Sequence, residues 1–327
     1  MQVSVMKISH LQRVAINDNE QWVLVRGKSI DAPLLIHVQA GPGLPIIPEA
    51  DAMDKLLHLE DYFLVAYWDQ RGCGKSFNKL ADPRTITLRQ LSNDIVACTR
   101  YLQNKYDKRS AIVSGYSIGA TASLMAAVED PNLFSALFLV GIDVDVPRAN
   151  AFAIDFAMKK ATETRDRKMI KRLNELNRFP ITESKGFQER AKILTDLGGI
   201  RAGSSYAGLV FTSIKNMLLS KSYTIRDIGK TLRGMEFCQN ALLAEMNELN
   251  LFNSITKVDV NVHFVHGKQD GISPFDVALS FYNHLLSERK EFTVFENSAH
   301  MPHYDEPEKF AKLVIDGIAR EHMAIFG

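Results

Sequence analysis

The chain alternates between short apolar runs and longer amphipathic segments. Six apolar runs have strand length and are largely continuous, as in strands buried on both faces of a parallel sheet. They occupy residues 34–38, 62–68, 111–115, 136–141, 262–267 and 292–296. Segments of helical length lie between or after them, at residues 52–58, 88–106, 118–129, 275–286 and 306–320. This alternation predicts an α/β fold in which helices cover both faces of a mostly parallel central sheet.

Two parts of the chain depart from this alternation. Near the start, residues 11–16 and 21–25 are β-type runs separated by Asn-Asp-Asn-Glu, which predicts an antiparallel hairpin. Farther along, helical patterns follow one another without strands, at residues 152–176, 186–197, 205–220 and 225–249. We therefore predict a core domain of residues 1–147 and 257–327, interrupted by an all-helical cap of residues 148–256.

Composition narrows the possible partners. The 327 residues are 46% hydrophobic, and 39 basic against 38 acidic residues leave a net charge of +1. A balanced charge gives no electrostatic footprint for nucleic acid or an acidic membrane. Neither a signal-peptide pattern nor an apolar run of membrane-spanning length is seen, and the three cysteines are too scattered for a disulfide framework. We expect a soluble, cytoplasmic protein with a small-molecule partner; the oligomeric state stays open.

One short motif carries candidate chemistry. The stretch VSGYSIGA, residues 113–120, has glycines two positions before and two positions after Ser117. Because a buried strand precedes it and a helix of small residues follows it, G-x-S-x-G predicts a sharp, strained turn that presents the serine hydroxyl. The N–H of Ile118 would then point from the helix N-terminus toward an oxyanion formed beside that hydroxyl. The alternative is a serine that merely caps the helix.

A nucleophilic serine needs a histidine to remove its proton and a carboxylate to orient that histidine. Asp270 follows the run 262–267, and His300 follows the run 292–296. Both lie on loops at the carboxyl ends of predicted strands, where ligand sites of open α/β sheets occur. The sequence therefore predicts Ser117 as nucleophile, His300 as base and Asp270 as acid. Asp143 and Asp145, which follow the run 136–141, are alternative carboxylates.

Other polar residues resemble parts of metal or nucleotide sites, but these sites are incomplete. His303 lies three residues after His300 and could share a metal with it, but no further cluster of ligand residues completes such a site. His263 and His266 fall in a predicted buried strand and are interpreted as core histidines. The stretch GCGKS ends like a phosphate-binding loop, yet Asp69 stands where that motif requires glycine. No metal and no cofactor are expected.

The order of serine, aspartate and histidine resembles the α/β-hydrolase fold, and two further stretches resemble the proline iminopeptidase family within it. QAGPG, residues 39–43, is similar to that family's HGGPG, and YWDQRGCGKS, residues 67–76, matches its DQRGxGxS. The C-terminal SAHMPHYDEPEKF extends the likeness across both parts of the predicted core. The resemblance implies hydrolysis of a small acyl compound or short peptide, and it fades in the cap.

The resemblance also implies roles for particular residues. Gly41 would supply a second oxyanion N–H beside that of Ile118. Asp69, Arg71 and Gly72 would shape the loop that borders the site. No cofactor takes part in the activity implied by this family.

Several positions depart from the family pattern. Gln39 replaces the family's histidine, Ala40 replaces its first glycine, and Ile118 replaces the tryptophan usual after the serine. The family's aminopeptidases hold the substrate's free amine with cap carboxylates, and here Glu236 is the candidate for that role, although it could equally be a solvated surface residue. Gln39 and Tyr116 are further substrate-binding candidates.

Three functions therefore fit the sequence. The first is an aminopeptidase that releases N-terminal residues such as proline from short peptides. The second is an esterase or amidase that acts on another small acyl compound, as the altered QAGPG stretch would allow. The third is a non-catalytic receptor for a small molecule, which would have no need of a strained serine with both partners.

Overall fold

The structure is a computed structural model that describes residues 7–176 and 181–326. Eight strands in these residues form one sheet, in the order β1-β2-β4-β3-β5-β6-β7-β8. Their bounds are β1 Ile8–Ile16, β2 Asn19–Gly27, β3 Leu34–Val38, β4 Leu64–Asp69, β5 Ala111–Tyr116, β6 Phe134–Val140, β7 Asn261–Gly267 and β8 Lys290–Phe295. β1 pairs antiparallel with β2, β2 pairs antiparallel with β4, and every later pairing is parallel. The predicted hairpin and the mostly parallel sheet are both confirmed.

Helices pack on both faces of this sheet. The helices outside the cap are α1 Ala50–Leu57, α2 Leu88–Tyr106, α3 Ile118–Glu129, α9 Phe275–His284, α10 Pro302–Asp305 and α11 Pro307–Phe326. Alternate residues of β3 show the two layers: Leu34 and Ile36 lie in the hydrophobic cluster with α2 and α3, whereas Leu35 lies in the cluster with α1 and α11. Because successive side chains of a strand point to opposite faces, a strand covered on both sides is apolar throughout.

Five further α-helices lie between β6 and β7 in the described part of that segment, residues 141–176 and 181–260. They are α4 Val146–Glu163, α5 Arg167–Leu176, α6 Ser184–Asp196, α7 Tyr206–Leu219 and α8 Ile225–Met246. Part of this region has a small hydrophobic cluster of its own, in which Ala157, Leu173 and Ile193 are buried. We call these five helices the cap; its division from the core into a separate domain stays a prediction.

The prediction of one helix over residues 152–176 was wrong. The helix ends at Glu163, and Arg165 adopts a left-handed conformation with φ 55°. The side chain of Asp166 then accepts a hydrogen bond from the N–H of Met169 at 2.9 Å. A carboxylate that binds a free N–H in this way starts a new helix, which explains the break before α5.

Three general features complete the description. Cys73, Cys98 and Cys238 are buried free thiols. Across residues 7–176 and 181–326, no helix combines the length and apolar character that crossing a membrane requires. Among the described side chains, those of residues 7–176 and 181–317, no three His, Cys, Asp or Glu residues form a group that could hold a metal ion.

Candidate active site

Ser117 lies in the turn between β5 and α3. Its backbone has φ 53° and ψ −126°, a conformation that residues with a side chain rarely adopt. The turn is fixed on both sides, because the Ser117 N–H donates to the Val140 carbonyl at 2.8 Å and its carbonyl accepts from the Ala120 N–H at 2.8 Å. The predicted strained turn is therefore present, and it holds the hydroxyl at the carboxyl edge of the sheet.

The two glycines of the motif allow the chain to approach itself closely. A Cβ atom on Gly119 would lie 2.1 Å from the carbonyl oxygen of Gln39 and 2.7 Å from that of Val38. A Cβ atom on Gly115 would lie 2.7 Å from the Cα of Ala120. These contacts are with backbone, which cannot move aside as a flexible side chain can, so the geometry requires glycine at both positions.

His300 and Asp270 form a hydrogen-bonded pair at the same edge of the sheet. His300 Nδ1 lies 2.8 Å from Asp270 Oδ2, and the N–H groups of Ile272 and Ser273 donate to Asp270 Oδ1 at 2.8 and 2.9 Å. With a proton on Nδ1 donated to Asp270, the ring keeps Nε2 available to accept another proton. His266, interpreted from sequence as a core histidine, is buried and its Nε2 lies 2.9 Å from the Ser273 carbonyl oxygen.

Opposing effects act on the pKa of the His300 ring. Burial works to lower its pKa, but the charge and hydrogen bond of Asp270 and the charge of Asp143 outweigh it and raise the pKa above 6.5. The ring also packs tightly on the backbone: a Cβ atom on Gly141, whose φ is 55°, would lie 3.0 Å from His300 Cε1 and Nδ1. The position of the imidazole is thus set by Asp270 on one side and by a glycine on the other.

Asp143 is the nearest hydrogen-bond partner of the serine hydroxyl. Ser117 Oγ donates to Asp143 Oδ2 at 3.0 Å, and Ser273 Oγ donates to Oδ1 at 2.9 Å. Thr121 Oγ1 fixes the backbone by donating to the Asp143 carbonyl at 2.7 Å. Burial raises the pKa of Asp143, while the charge of His300 and the two hydroxyl hydrogen bonds lower it. Within the part of the chain that the structure describes, no hydrogen bond joins Ser117 to His300.

The alternative carboxylates considered from sequence thus lie in different places. Asp143 contacts the serine hydroxyl, whereas the hydrogen-bond partner of His300 is Asp270. Asp145 caps α4: its Oδ1 accepts from the Arg148 N–H at 3.0 Å. Its place after β6 makes Asp143 a possible acid from sequence, but no residue pattern predicts its contact with Ser117.

The two candidate oxyanion donors are neighbours. Ile118 is the first residue of α3, and the first N–H of a helix has no acceptor within that helix. A Cβ atom on Gly41 would lie 3.7 Å from Ile118 Cγ2. Gln39 lies beside them, but its Oε1 accepts from the Gln70 N–H at 3.2 Å and from Cys73 Sγ at 3.0 Å. The Gln39 side chain therefore ties this loop to the next one.

The side chains of the other two substrate-binding candidates, Tyr116 and Glu236, contact residues other than Ser117. The Tyr116 hydroxyl lies 2.9 Å from His37 Nδ1, and its ring centroid is 4.4 Å from that of His303. Glu236 lines a cleft of about 490 Å³ together with eight other residues in or next to α6, α7 and α8, and neither Ser117 nor His300 is among the residues that line it. Glu236 therefore lines a cleft that includes neither the serine nor the histidine.

Asp69, in the DQRG stretch, organises the loop after β3. Its carboxylate accepts from the N–H groups of Ile46, Ile47 and Lys75 at 3.0 to 3.1 Å. The hydroxyl of Tyr223, from the cap, also donates to it. Burial raises the pKa of Asp69, and these hydrogen bonds lower it. The residue joins the Gly41 loop, its own loop and the cap.

Arg71 and Gly72 fix the remainder of that stretch. Arg71 makes a two-pronged contact with the buried carboxylate of Asp94, with Nε–Oδ2 at 2.7 Å and Nη2–Oδ1 at 2.9 Å. A Cβ atom on Gly72 would lie 2.9 Å from the Sγ of Cys238 in α8. Asp94 was missed from sequence; the available signal was an acidic residue on the apolar face of α2.

The cap brings one further charge close to the site. Arg190 of α6 donates from Nη1 to Asn150 Oδ1. Burial lowers the pKa of Arg190 to about 10, while the charge of Asp143 raises it. Arg190 was not singled out from sequence, where it is one of many basic residues in the cap.

Comparisons with known proteins bear on this constellation. The family model described as "Serine aminopeptidase, S33" matches residues 55–307, a span that contains Ser117, Asp270 and His300. Over 320 residues the chain is 27% identical to "Probable aminopeptidase YbaC" of Bacillus subtilis (strain 168), and the alignment covers 97% of this chain and 98% of that protein.

Solved structures share the architecture. The proline iminopeptidase of Mycobacterium smegmatis superposes with a TM-score of 0.67 at 17% identity, covering 97% of this chain and 100% of that one. A proline iminopeptidase-related protein of Thermus thermophilus gives a TM-score of 0.65 at 18% identity, covering 95% and 98%. At these identities the likeness shows the fold, which is the one that the sequence predicts.

Proposed function

Because the chain belongs to the serine aminopeptidase S33 family of α/β-hydrolases, we propose that it is a serine hydrolase that removes the N-terminal residue from short peptides. One observation carries the proposal: a serine on a strained turn lies at the same sheet edge as a histidine hydrogen-bonded to a buried aspartate. A serine that only capped a helix would need neither the strain nor the pair.

In this proposal Ser117 Oγ attacks the acyl carbonyl, and His300 Nε2 takes the hydroxyl proton. His300 then gives that proton to the leaving amine. A water molecule next attacks the acyl-enzyme, and His300 takes a proton from this water and returns it to Ser117 Oγ as the ester bond breaks. Asp270 holds the imidazole in the required tautomer. The N–H groups of Gly41 and Ile118 stabilise the oxyanion as charge develops on it.

Two observations bear on the substrate. The full-length relative in Bacillus subtilis carries the name of a probable aminopeptidase, which favours a peptide with a free amine. Glu236, the cap carboxylate expected to hold that amine, faces a separate cleft, which favours an esterase or amidase as the second candidate. The two candidates differ in whether a free amine beside the scissile bond helps.

The experiment compares prolyl 4-nitroanilide with its N-acetylated counterpart, with Ser117→Ala as the blank. We expect the wild type to cleave the free-amine compound and not the acetylated one. Equal cleavage of both would replace the aminopeptidase by the amidase. A fluorophosphonate should add one adduct to the wild type and none to Ser117→Ala, and labelling of both proteins would contradict the role of Ser117.

A further inference from the structure

The buried carboxylate of Asp143 has no role in the steps described above. We propose that it binds the protonated α-amine of the substrate, so that the core of the protein, and not the cap, selects substrates with a free N-terminus. This inference rests on the proposed function and names the residue responsible for its amine preference. Its support is the position, the charge and the hydrogen bonds of Asp143.

The position of Asp143 suits an amine next to the scissile carbonyl. Asp143 Oδ2 lies 3.0 Å from Ser117 Oγ. In an aminopeptidase substrate, the α-nitrogen is separated from the carbonyl carbon by two bonds, or about 2.5 Å. That carbon lies about 3 to 3.5 Å from the attacking oxygen before reaction. These distances bring the α-nitrogen within hydrogen-bond reach of Asp143 Oδ2 when it lies on the Asp143 side of the scissile carbonyl.

The charge of Asp143 is suited to a cation. Its side chain is buried, and its two oxygens accept hydrogen bonds from the neutral hydroxyls of Ser117 and Ser273. Among the side chains that the structure describes, in residues 7–176 and 181–317, no Lys, Arg or His nitrogen lies within 4.0 Å of this carboxylate. His300 and Arg190 act on it over a longer distance. Since burial of an unpaired charge is costly, an ammonium group that reaches Asp143 gains a strong partner.

Amine binding at Asp143 also affects the nucleophile. In the free protein the Ser117 hydroxyl donates to Asp143 Oδ2. An ammonium group competes for that oxygen with charged N–H donors, which make stronger hydrogen bonds than a neutral hydroxyl. The displaced hydroxyl is then free to turn to His300. A substrate with an amine therefore aligns the serine with its base, whereas one without an amine leaves it bound to Asp143.

The decisive variant is Asp143→Asn, which keeps the shape and removes the charge. Its kcat/KM is measured on prolyl 4-nitroanilide and on cyclopentanecarbonyl 4-nitroanilide, which differ only in the amine. We expect a loss of roughly 10- to 100-fold on the prolyl compound, the range for a hydrogen bond to a charged group. On the compound without an amine, kcat/KM should not fall, because the neutral amide of asparagine holds the Ser117 hydroxyl less tightly than the carboxylate does.

Two matched variants serve as controls. Asp145→Asn removes a charge two residues away that caps α4, and asparagine caps a helix about as well as aspartate does. Glu236→Gln removes one of the charges that line the cap cleft. Both should keep the wild-type preference for the prolyl compound. A loss of that preference in Glu236→Gln would return amine binding to the cap and overturn the inference.

The remaining outcomes separate this inference from the proposed function. Equal losses on both compounds in Asp143→Asn would mean that Asp143 serves the chemistry of Ser117 and His300, and not the amine. An undiminished preference for the prolyl compound would show that another group binds the amine. If the wild type prefers neither compound, the aminopeptidase function itself fails, and the role of Asp143 fails with it.

Discussion

Replacement of Gly119 by alanine tests whether the close approach of α3 to the loop after β3 matters. The added Cβ would lie 2.1 Å from the Gln39 carbonyl oxygen, so the two backbones must separate by about 1.3 Å to reach the 3.4 Å of ordinary contact. Overpacking of this kind costs about 1 to 3 kcal/mol. For a chain of this length, that corresponds to a melting temperature lower by roughly 1.5 to 4.5 °C.

The same displacement moves the candidate oxyanion donors. Ile118 immediately precedes Gly119, and Gly41 lies two residues after Gln39. A misplacement of about 1 Å in an active site costs on the order of 100-fold in rate. We therefore expect Gly119→Ala to lose about that factor in fluorophosphonate labelling while its circular dichroism spectrum stays that of the folded protein.

Gly229 supplies the matched control. It also lies in a helix, α8, but a Cβ atom there meets nothing within 4 Å. Gly229→Ala should raise the stability by about 0.5 to 1 kcal/mol and leave labelling unchanged, since alanine in a helix loses less conformational freedom than glycine. Wild-type melting and wild-type labelling in Gly119→Ala would refute the reasoning.

Three further predictions concern the histidines and the contact between cap and core. His300→Ala should abolish turnover of the 4-nitroanilide and His303→Ala should retain most of it, because His303 packs on the Tyr116 ring whereas the imidazole hydrogen-bonded to Asp270 is that of His300; comparable losses would reassign the base. Since Asp270 raises the pKa of His300 and the base must be unprotonated, labelling of the wild type should fall as the pH drops through a midpoint above 6.5. Asp270→Asn should move that midpoint to lower pH and slow turnover by about 10⁴-fold, and an unmoved midpoint would count against the pair. Tyr223→Phe removes a donor from the buried carboxylate of Asp69 and should cost about 1 to 3 kcal/mol in urea unfolding, a value that an unchanged midpoint would contradict.

The sheet could be predicted from sequence because burial on both faces leaves a direct mark on a strand. Every residue of β3, β4 and β5 is buried, and the apolar runs ended within two residues of the observed strands. The helix boundaries of the cap are harder to predict from sequence. The break between α4 and α5 depends on a left-handed residue, Arg165, and on the cap made by Asp166, and neither interrupts the helical pattern of the apolar positions.

For the site, too, some features can be predicted from sequence and others cannot. Ser117, Asp270 and His300 each follow a strand of the parallel part of the sheet, so their meeting at one sheet edge follows from the order of the elements alone. The contact between Asp143 and Ser117 depends on how far the loop after β6 turns back, which the position of Gly141 influences. The direction in which Glu236 faces depends on the packing of α6 against α8. Neither the course of this loop nor the direction of the Glu236 side chain can be recognised in the sequence.

Asp143 and Asp270 follow two neighbouring strands, β6 and β7, and their hydrogen-bond donors suit them to different roles. Asp270 accepts hydrogen bonds from two backbone N–H groups and lies 2.8 Å from His300 Nδ1, so both of its oxygens already have fixed partners. Asp143 accepts from two hydroxyls, which can rotate away at little cost when a stronger donor arrives. A carboxylate held by fixed donors orients the base, whereas one held by movable donors can exchange them for a substrate. This difference in donors, more than the proximity of either group to Ser117, is the physical basis for assigning Asp270 to the histidine and Asp143 to the amine.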